Sequence, residues 1–350
     1  MKWTNRISLG IGGAMVAAAL LSTAVLPGAQ PAQPSAAAAS QPVNSGIPAQ
    51  VNPGADLAAK TDTSGDSIYV TNWVKGGGHN YGILVHVVKL PGGSSQLFVS
   101  VSDEKTGWYK KYEATSDKLT WSSEKLDIRA PGMTWTGDEQ HMSINVTTPW
   151  GAVGLQLTNN GPALNYGSNG VIQLFGVTNY EYALPNLTAT GTLTVDGKTT
   201  KTAGKAWLDR QWGPVSFTPT AHETWMNLNL SNGDKVAVWN DLNSTAENSW
   251  ATVQHPDGSY EVVEVTPLAG KASNFWTSTE SGNTYPTRWV VDIPSSDARL
   301  VVKQTGAENQ EVTAKRANGR VEATGTVAGV YEGQKVTGYT FIEQAGDFTS

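Results

Sequence analysis

The sequence predicts an all-β protein built from two barrel-like antiparallel domains. Short runs of alternating apolar and polar residues recur along the chain, among them 81-YGILVHVV-88, 142-MSINV-146 and 224-TWMNLNL-230. This alternation is typical of strands with one buried face. Turn dipeptides such as Asp196-Gly197 and Asn232-Gly233 separate the runs, and Gly there supplies the positive φ that tight hairpins need. Beyond Asp56 no long window has the spacing of an amphipathic helix, so many short strands joined by hairpins are expected.

The first 55 residues predict a leader and a tether. Lys2 and Arg6 precede an apolar stretch over residues 7–26, and Ala37-Ala38-Ala39 offers a cleavage site. This layout predicts a secretory signal peptide over residues 1–39. An uncleaved anchor is the alternative, because the apolar run approaches the ~20 residues that a membrane helix needs. Residues 40–55 lack charge and almost all large apolar side chains, which predicts a disordered linker. The expected location is secreted or in the cell-wall space, without membrane insertion after cleavage.

The folded part is expected to form two domains, residues 56–203 and 204–350, with the change at the segment 204-GKAWLDRQWG-213. The first 55 residues hold two of the 24 Lys and Arg and none of the 30 Asp and Glu, so the remainder has a net charge of −8. A net acidic chain is a poor partner for nucleic acid or an anionic membrane. The chain has no cysteine, which excludes disulfides and thiolate metal sites.

The common catalytic signatures are absent from the sequence after the leader. There is no G-x-S-x-G elbow, P-loop or dinucleotide-binding glycine motif, and His222-Glu223 lacks the second His of a zincin helix. The five histidines are dispersed without metal-ligand spacing, which favours ordinary surface or core positions for them. Of the five, His222 precedes a strand that is expected to adjoin the segment 204–213. Neither a metal nor a cofactor is predicted.

Tryptophan is the unusual component of the composition. The chain has 13 tryptophans, of which only Trp3 lies in the leader. Each brings a large apolar face and one N–H donor that needs a partner. A thick β core, an aromatic cavity for a flat apolar or polyene-like ligand, and a sugar-stacking surface are the interpretations that this richness allows.

The segment 205–213 is expected to be a strand with two mixed faces. Period-two alternation puts Trp207, Asp209 and Gln211 on one face. It puts Leu208, Arg210 and Trp212 on the other, where Arg210 and Trp212 can form a cation–π contact. Because neither face is purely apolar, an internal partition between domains, or between a cavity and a core, is predicted.

The following hairpin leaves the direction of Asp241 open. Trp225 and Asn227 share one face of their strand, and Trp239 and Asp241 share one face of the next. A two-residue turn at Asn232-Gly233 would put Asp241 opposite Thr224, away from Trp225. A three-residue turn would put it with Trp225, since a one-residue slip reverses every side chain.

A carboxylic acid beside tryptophan in an apolar setting has a definite chemical use. Burial disfavours the ionised form, so the acid can stay protonated and act as a general acid. Protonating an alkene leaves a carbocation, which an indole face stabilises, and water can then add without a metal or cofactor. The structural interpretation is that Asp209 pairs with a nearby cation and fixes the domain junction.

Several segments, taken in order, resemble one known family. They are 178-TNYEYALPNLTATGTLTVDGK-198, 204-GKAWLDRQWG-213, 285-YPTRWVVDIP-294 and 329-GVYEGQKVTGYTFIEQAG-346, with 72-NWVKGGGHNYG-82 as the opening strand-turn-strand. Together they resemble the carotenoid 1,2-hydratase and kievitone hydratase-like family, and the G-x-x-W-[LM]-D-x-x-W-G box is the specific part. The resemblance implies two tandem lipocalin-like β-barrels. It also implies hydration of isoprenoid-type double bonds, or cyclisation of Diels–Alder type.

The resemblance carries over to individual positions of this chain. The family box falls on Trp207, Asp209, Trp212 and Gly213, and the aromatic and acid of the later strand fall on Trp239 and Asp241. Tyr331, Glu332 and Gly333 match an aromatic-Glu-Gly turn near the C-terminus. Hydratase members usually have His after the box Asp, where this chain has Arg210, and Arg cannot shuttle a proton near neutral pH.

These observations predict a secreted, cofactor-independent hydratase-like enzyme for a small apolar unsaturated molecule, of isoprenoid or polyketide type. Hydration is the expected reaction and cyclisation the second choice. A non-catalytic lipocalin-like carrier of an apolar ligand is the alternative. Asp241 is the predicted acid, and Asp209 and Arg210 are the predicted positioning pair. The predicted binding residues are Trp207, Trp212, Trp225, Trp239, Tyr331 and Glu332.

Overall fold

The computed structural model describes residues 48–90, 92–214, 218 and 220–349. Within these ranges the ordered elements are β-strands and short 3-10 turns, without an α-helix. The prediction of an all-β fold is confirmed. No helix in the described ranges is long and apolar enough to cross a bilayer. The predicted signal peptide, residues 1–39, lies outside them.

The first sheet takes its strands from the N-terminal part of the chain and is antiparallel throughout. Its described strands are β1 Asp66–Gly76, β2 His79–Lys89, β3 Ser95–Asp103, β4 Tyr109–Ser116, β5 Thr120–Trp121, β6 Leu126–Ala130, β7 Met133–Gly137, β8 His141–Thr148, β9 Gly151–Asn159, β10 Leu164–Asn165, β11 Val171–Leu174, β12 Val177–Val195 and β13 Lys198–Trp212. They pair in the order β4-β3-β2-β1-β13-β12-β9-β8-β7-β6-β5, and β10 and β11 pair with β12.

The first sheet curls around an apolar interior. Side chains from its two ends meet there, as Val99 of β3 and Trp135 of β7 belong to one buried cluster. The long hairpin β12–β13 closes through Asp196 and Gly197, whose φ angles are 48° and 84°. Two successive positive φ values define the type I′ turn that the Asp-Gly dipeptide predicts.

The second sheet is built from the C-terminal part of the chain. Its described strands are β14 His222–Leu230, β15 Lys235–Leu242, β16 Glu247–Gln254, β17 Tyr260–Glu264, β18 Ala272–Thr277, β19 Thr284–Ile293, β20 Ala298–Gln304, β21 Glu311–Thr313, β22 Arg320–Tyr331 and β23 Gln334–Ala345. The pairing order is β17-β16-β15-β14-β23-β22-β20-β19-β18, with β21 on β22. Its interior is a second apolar cluster, which includes Met226, Trp289 and Leu300. The 3-10 turns are Ala55–Leu57, Tyr166–Ser168, Ala269–Lys271 and Pro294–Ser296.

A third buried cluster lies between the two sheets rather than inside either of them. It combines Tyr69 and Trp207 of the first sheet with Trp225, Trp239 and Phe341 of the second. Strand alternation produces this arrangement, because each strand directs one set of side chains into its own interior and the other set towards the opposite sheet. We call this third region the inter-sheet layer.

Two of the predicted boundaries need correction. The division at residues 203 and 204 falls inside β13, which pairs with β1 and β12 along its length. The first sheet therefore continues to Trp212. The linker predicted as disordered over residues 40–55 is ordered in its described part. Val51 is buried in the first core, the Gln50 N–H donates to the Asn169 carbonyl at 2.7 Å, and the Tyr182 hydroxyl donates to the Pro53 carbonyl at 2.8 Å.

Candidate active site between the two sheets

Asp209 faces the inter-sheet layer from the centre of the first sheet. Its Oδ1 accepts a hydrogen bond from the Tyr166 hydroxyl at 2.7 Å and another from the Trp207 Nε1–H at 3.0 Å. Its Oδ2 is buried and has no hydrogen-bond partner among the described residues. Burial raises the pKa of Asp209 to about 8, although the two hydrogen bonds pull the pKa down. The acid therefore holds a proton near neutral pH, on the oxygen that receives no donor.

Asp241 faces the same layer from the second sheet. The hairpin between β14 and β15 has a three-residue turn, closed by the Leu230 N–H to the Asp234 carbonyl at 3.0 Å. The register then pairs Glu223 with Asp241 and Trp225 with Trp239. Of the two alternatives that the sequence leaves open, the structure selects the one with Asp241 beside Trp225.

The Asp241 carboxyl is buried and accepts one long hydrogen bond. Its Oδ2 accepts the Phe175 N–H at 3.4 Å, and its Oδ1 has no partner in the described part of the chain. Burial raises the pKa of Asp241 to about 7, and the Phe175 N–H opposes this rise. Neither Asp241 nor Asp209 forms an ion pair with a described residue. Both are thus acids whose protonated form is populated near neutral pH.

Further carboxylic acids surround these two. Glu181 of β12, Glu223 of β14 and Glu322 of β22 are buried, and Glu343 of β23 is partly buried. Burial is the main cause that raises the pKa of each. The charge of Asp209 raises the pKa of Glu181 further. Because like charges in a dry setting disfavour joint ionisation, these acids keep their protons to higher pH than exposed carboxyls do.

Arg320 is the cation that balances part of this acidity. Its guanidinium forms an ion pair with Glu343 at 3.1 Å. Burial alone would lower the pKa of Arg320, but the charges of Glu343 and Glu322 raise it. Its Nη1–H also donates to His86 Nδ1 at 3.2 Å. Since Arg offers only donors, the His86 proton lies on Nε2, which is 2.8 Å from the Ser67 hydroxyl oxygen.

His86 is therefore a neutral, buried histidine. Burial, with the charge of Arg320 as a second cause, holds the pKa of His86 well below its usual value. Its ring is edge-on to Tyr69 at 5.1 Å between centroids, and the Tyr69 hydroxyl donates to Glu322 at 2.7 Å. His222 lies elsewhere: its ring stacks on Phe348 at 5.1 Å.

Aromatic rings form a continuous wall across the layer. Trp225 is edge-on to Trp207 at 6.3 Å and to Trp239 at 6.4 Å, and Trp239 stacks on Trp250 at 6.1 Å. The Trp239 Nε1–H has no partner among the described residues. Three of the tryptophans predicted as binding residues, Trp207, Trp225 and Trp239, are thus brought together beside the acids.

Arg210 does not pair with Asp209. The two side chains lie on opposite faces of β13, and Arg210 forms an ion pair with Asp66 at 2.5 Å. Its guanidinium also donates to the carbonyls of Asp56 and Ala58. Arg210 thus anchors the segment that precedes β1, and its side chain points away from the inter-sheet layer.

Trp212, Tyr331 and Glu332 also lie outside the inter-sheet layer. Trp212 shares the face of Arg210, 5.3 Å from the guanidinium carbon, which confirms the predicted cation–π contact. It lines a separate cleft of about 550 Å³ with residues 59–64. Tyr331 is buried in the second core. Glu332 and Gly333, with φ angles of 51° and 71°, form the tight turn between β22 and β23.

Five charged residues of the layer are not among the residues predicted from sequence: Glu181, Glu223, Glu322, Glu343 and Arg320. A usable signal exists in the strands themselves. In β22 and β23, Glu322 and Glu343 stand at positions where runs of buried apolar residues would continue. A charged residue inside such a run is a sign of a buried polar network.

The fold and the site together define a protein with two curled antiparallel sheets and an acidic, tryptophan-lined layer between them. The AttH-like family model matches residues 95–346, which is more than half of the chain. The chain therefore belongs to the AttH-like family. The resemblance to kievitone hydratase is also confirmed, as shown by the relatives below.

Two curated relatives carry names of related reactions. The chain is 29% identical to the dehydratase asqC of Emericella nidulans over 194 residues, covering 52% of this chain and 54% of that protein. It is 28% identical to the kievitone hydratase of Fusarium solani subsp. phaseoli over 182 residues, covering 50% and 51%. The chain thus spans about half the length of the curated relatives it matches.

Solved structures share the fold. A Nitrosomonas europaea protein described as AttH superposes with a TM-score of 0.74 at 18% identity, covering 87% of this chain and 99% of that one. The kievitone hydratase of Nectria haematococca superposes with a TM-score of 0.73 at 20% identity, covering 90% and 98%. At these identities the likeness shows the fold alone.

Proposed function

We propose that this chain is a hydratase- or dehydratase-type enzyme that acts on a small unsaturated molecule between its two sheets. The observation that carries the proposal is the environment of the Asp241 carboxyl. The carboxyl is buried without an ion pair to any described residue, it has one oxygen without a partner there, and it lies beside Trp225 and Trp239. The names of the two curated relatives support the reaction type.

In the proposed reaction Asp241 transfers its proton to one carbon of a carbon–carbon double bond. The π electrons form the new C–H bond, and the other carbon becomes a carbocation. The electron-rich faces of Trp225 and Trp239 stabilise that cation. A water molecule adds through its oxygen and releases a proton, which returns to the Asp241 carboxylate. The reverse sequence removes water.

Asp209 has a second role in the proposal. Its protonated Oδ2 donates a hydrogen bond to a polar group of the substrate and holds the molecule against the tryptophan wall.

A general acid with a pKa near the working pH is effective, and Asp241, with a pKa of about 7, fits that requirement. The aromatic lining favours an apolar substrate of isoprenoid or polyketide type. Cyclisation through the same cation is the second reaction that this site would support.

The test is incubation of the protein with small molecules in heavy-oxygen water, read by mass spectrometry. The first probes are kievitone and whatever small molecule co-purifies with the protein. We expect a product that carries oxygen-18 from water, and we expect Asp241→Asn to reduce its rate by about 10²–10⁴-fold. Asp297→Asn is the matched control, because Asp297 is an exposed turn residue with a φ of 44°, which Asn adopts readily. Unchanged turnover in Asp241→Asn contradicts the proposed acid. Binding without any labelled product favours the carrier function instead.

We also propose that the enzyme is exported. The support is the layout of residues 1–39, with a basic start, an apolar stretch and an Ala-rich cleavage site. N-terminal mass spectrometry of the protein recovered from culture medium and cell wall tests this. A mature chain that begins near Ser40 supports export, and a chain found only inside the cell with Met1 intact contradicts it.

A further inference from the structure

The 3-10 turn Tyr166–Ser168 links the two sheets. It follows β10 of the first sheet, but its backbone is bound to the second sheet. The Gly167 N–H donates to the Thr252 hydroxyl oxygen of β16 at 3.3 Å, and the Tyr260 hydroxyl of β17 donates to the Ser168 carbonyl. The position of Tyr166 therefore depends on the docking of this turn on the second sheet.

Tyr166 places its hydroxyl between the sheets. It is fully buried, and its ring is edge-on to Trp239 at 6.2 Å and to Trp250 at 6.4 Å. Its hydroxyl oxygen accepts the Trp225 Nε1–H of the second sheet at 3.3 Å. The hydroxyl proton is donated to Asp209 Oδ1 of the first sheet at 2.7 Å. A single side chain thus connects an indole of one sheet to the acid of the other.

We propose that Tyr166 is the positioning residue for Asp209, and that the docking of its turn on the second sheet sets how strongly Asp209 holds its proton. The proposal rests on the proposed function, in which the protonated Asp209 orients the substrate. Tyr166 acts through Asp209 and takes no part in bond making.

Several titratable and donor groups face Asp209. These are Tyr69 from β1, Glu181 from β12, Glu343 from β23, and the two donors Trp207 and Tyr166. Burial and the charge of Glu343 raise the pKa of Asp209, while the two donors lower it. The Trp207 donor lies two residues away on the same strand, so it stays in place however the sheets pack. The Tyr166 donor is held by the second sheet. If it is lost, only the Trp207 donor still opposes the rise that burial causes in the pKa of Asp209.

The experiment is an infrared-detected pH titration of Asp209 in the full folded chain. The difference between wild-type spectra and those of Asp209→Asn identifies the Asp209 carboxyl band. In Tyr166→Phe we expect the midpoint to move upward by about one pH unit or more, because a hydrogen bond to an ionised group is lost. Tyr285→Phe is the matched control. Its hydroxyl donates to Glu311 at 2.7 Å in the second sheet, so it loses an equivalent bond without moving the Asp209 midpoint.

Two further variants separate positioning from general damage. Replacement of Tyr166 by 3,5-difluorotyrosine keeps the ring and makes the hydroxyl a stronger donor, so the midpoint should move downward. This arm also serves where Tyr166→Phe fails to fold. Thr252→Val removes the acceptor that holds Gly167 and should move the midpoint upward by less than Tyr166→Phe does.

The outcomes are distinct. A midpoint that stays at the wild-type value in both Tyr166 variants overturns the proposal. If the Asp209 midpoint shifts in the Tyr166 variants but not in Thr252→Val, the claim that docking of the turn on the second sheet controls Asp209 is overturned. The titration needs no substrate, so a failure of the proposed reaction appears as absent turnover with the titration shifts still present.

Discussion

The two faces of strand β13 are adjacent in sequence but serve different purposes. On one face, Leu208 and Arg210 lie towards the interior of the first sheet, where Leu208 is part of an apolar core and Arg210 binds Asp66 and the segment before β1. On the other face, Trp207 and Asp209 lie in the inter-sheet layer with protonated acids and indole rings.

The difference shows how one strand can separate stability from chemistry. The inward charge, Arg210, is fully buried but completely paired, with an ion pair and several backbone carbonyls. The outward acid, Asp209, is also buried but has no cation beside it in the described chain, and its raised pKa lets it hold a proton instead. Removing one partner of a buried ion pair is strongly destabilising, whereas a buried acid without a cation lowers stability and is typical of sites with a chemical use.

The largest effect is expected on the inward face. Arg210→Met should lower the free energy of unfolding by about 3–5 kcal/mol, because Asp66 would be left as a buried charge without its cation, with the Lys60 N–H still donating to it. Urea unfolding measures this change. Arg299→Met is the control, because Arg299 pairs with Asp292 at the surface, and exposed pairs contribute less than about 1 kcal/mol. Equal effects in the two variants would remove the distinction between the two faces of β13.

A smaller effect on the free energy of unfolding, of opposite sign, is expected for a substitution on the outward face. A carboxyl with a raised pKa binds its proton more tightly in the folded than in the unfolded state, so stability falls as pH rises between the two pKa values. For Asp241 that window runs from 3.8 to about 7. Relative to wild type, Asp241→Asn should gain on the order of 2–4 kcal/mol between pH 4 and pH 8.

Unfolding by urea across this pH range checks the gain, with Asp297→Asn as the exposed control. The same Asp241→Asn protein is expected to lose turnover, so a more stable and less active variant would support a chemical role for the outward face. A variant with the pH dependence of wild type would show that the pKa of Asp241 is the same in the folded and unfolded states.

The smallest effect is expected at Glu332. This residue lies in the turn between β22 and β23, about 30 Å along the strand from Glu322 at a rise of ~3.3 Å per residue. Glu332→Gln should change the free energy of unfolding by less than about 0.5 kcal/mol and leave turnover unchanged. Differential scanning calorimetry and the oxygen-18 assay check this. A large loss of turnover would extend the site beyond the inter-sheet layer.

Much of the fold could be predicted from local pattern. Alternation along β13 separates Trp207 and Asp209 from Arg210, and Asp196-Gly197 predicts the turn that the structure contains. These features depend on neighbours in sequence, where steric rules are strong. The sheet to which β13 belongs could not be predicted in this way, because its pairing with β1 joins residues far apart in the chain.

The site was only partly predictable for the same reason. Composition and strand alternation single out the tryptophans, and the family resemblance singles out Asp241, but the direction of Asp241 depends on one residue in the turn after Leu230. Tyr166, His86 and Glu343 reach the layer from distant segments, and their role follows from three-dimensional packing alone. The burial of Arg210 could not be read from sequence either, since its partner Asp66 lies on another strand.

The outward faces of the two sheets keep buried acids protonated near neutral pH. Carbon-13 NMR of the aspartate side-chain carboxyls across pH tests this directly, with Asp241→Asn used to assign the Asp241 signal. We expect a midpoint of about 7 for Asp241. A midpoint near the ordinary aspartate value of about 4 would contradict it.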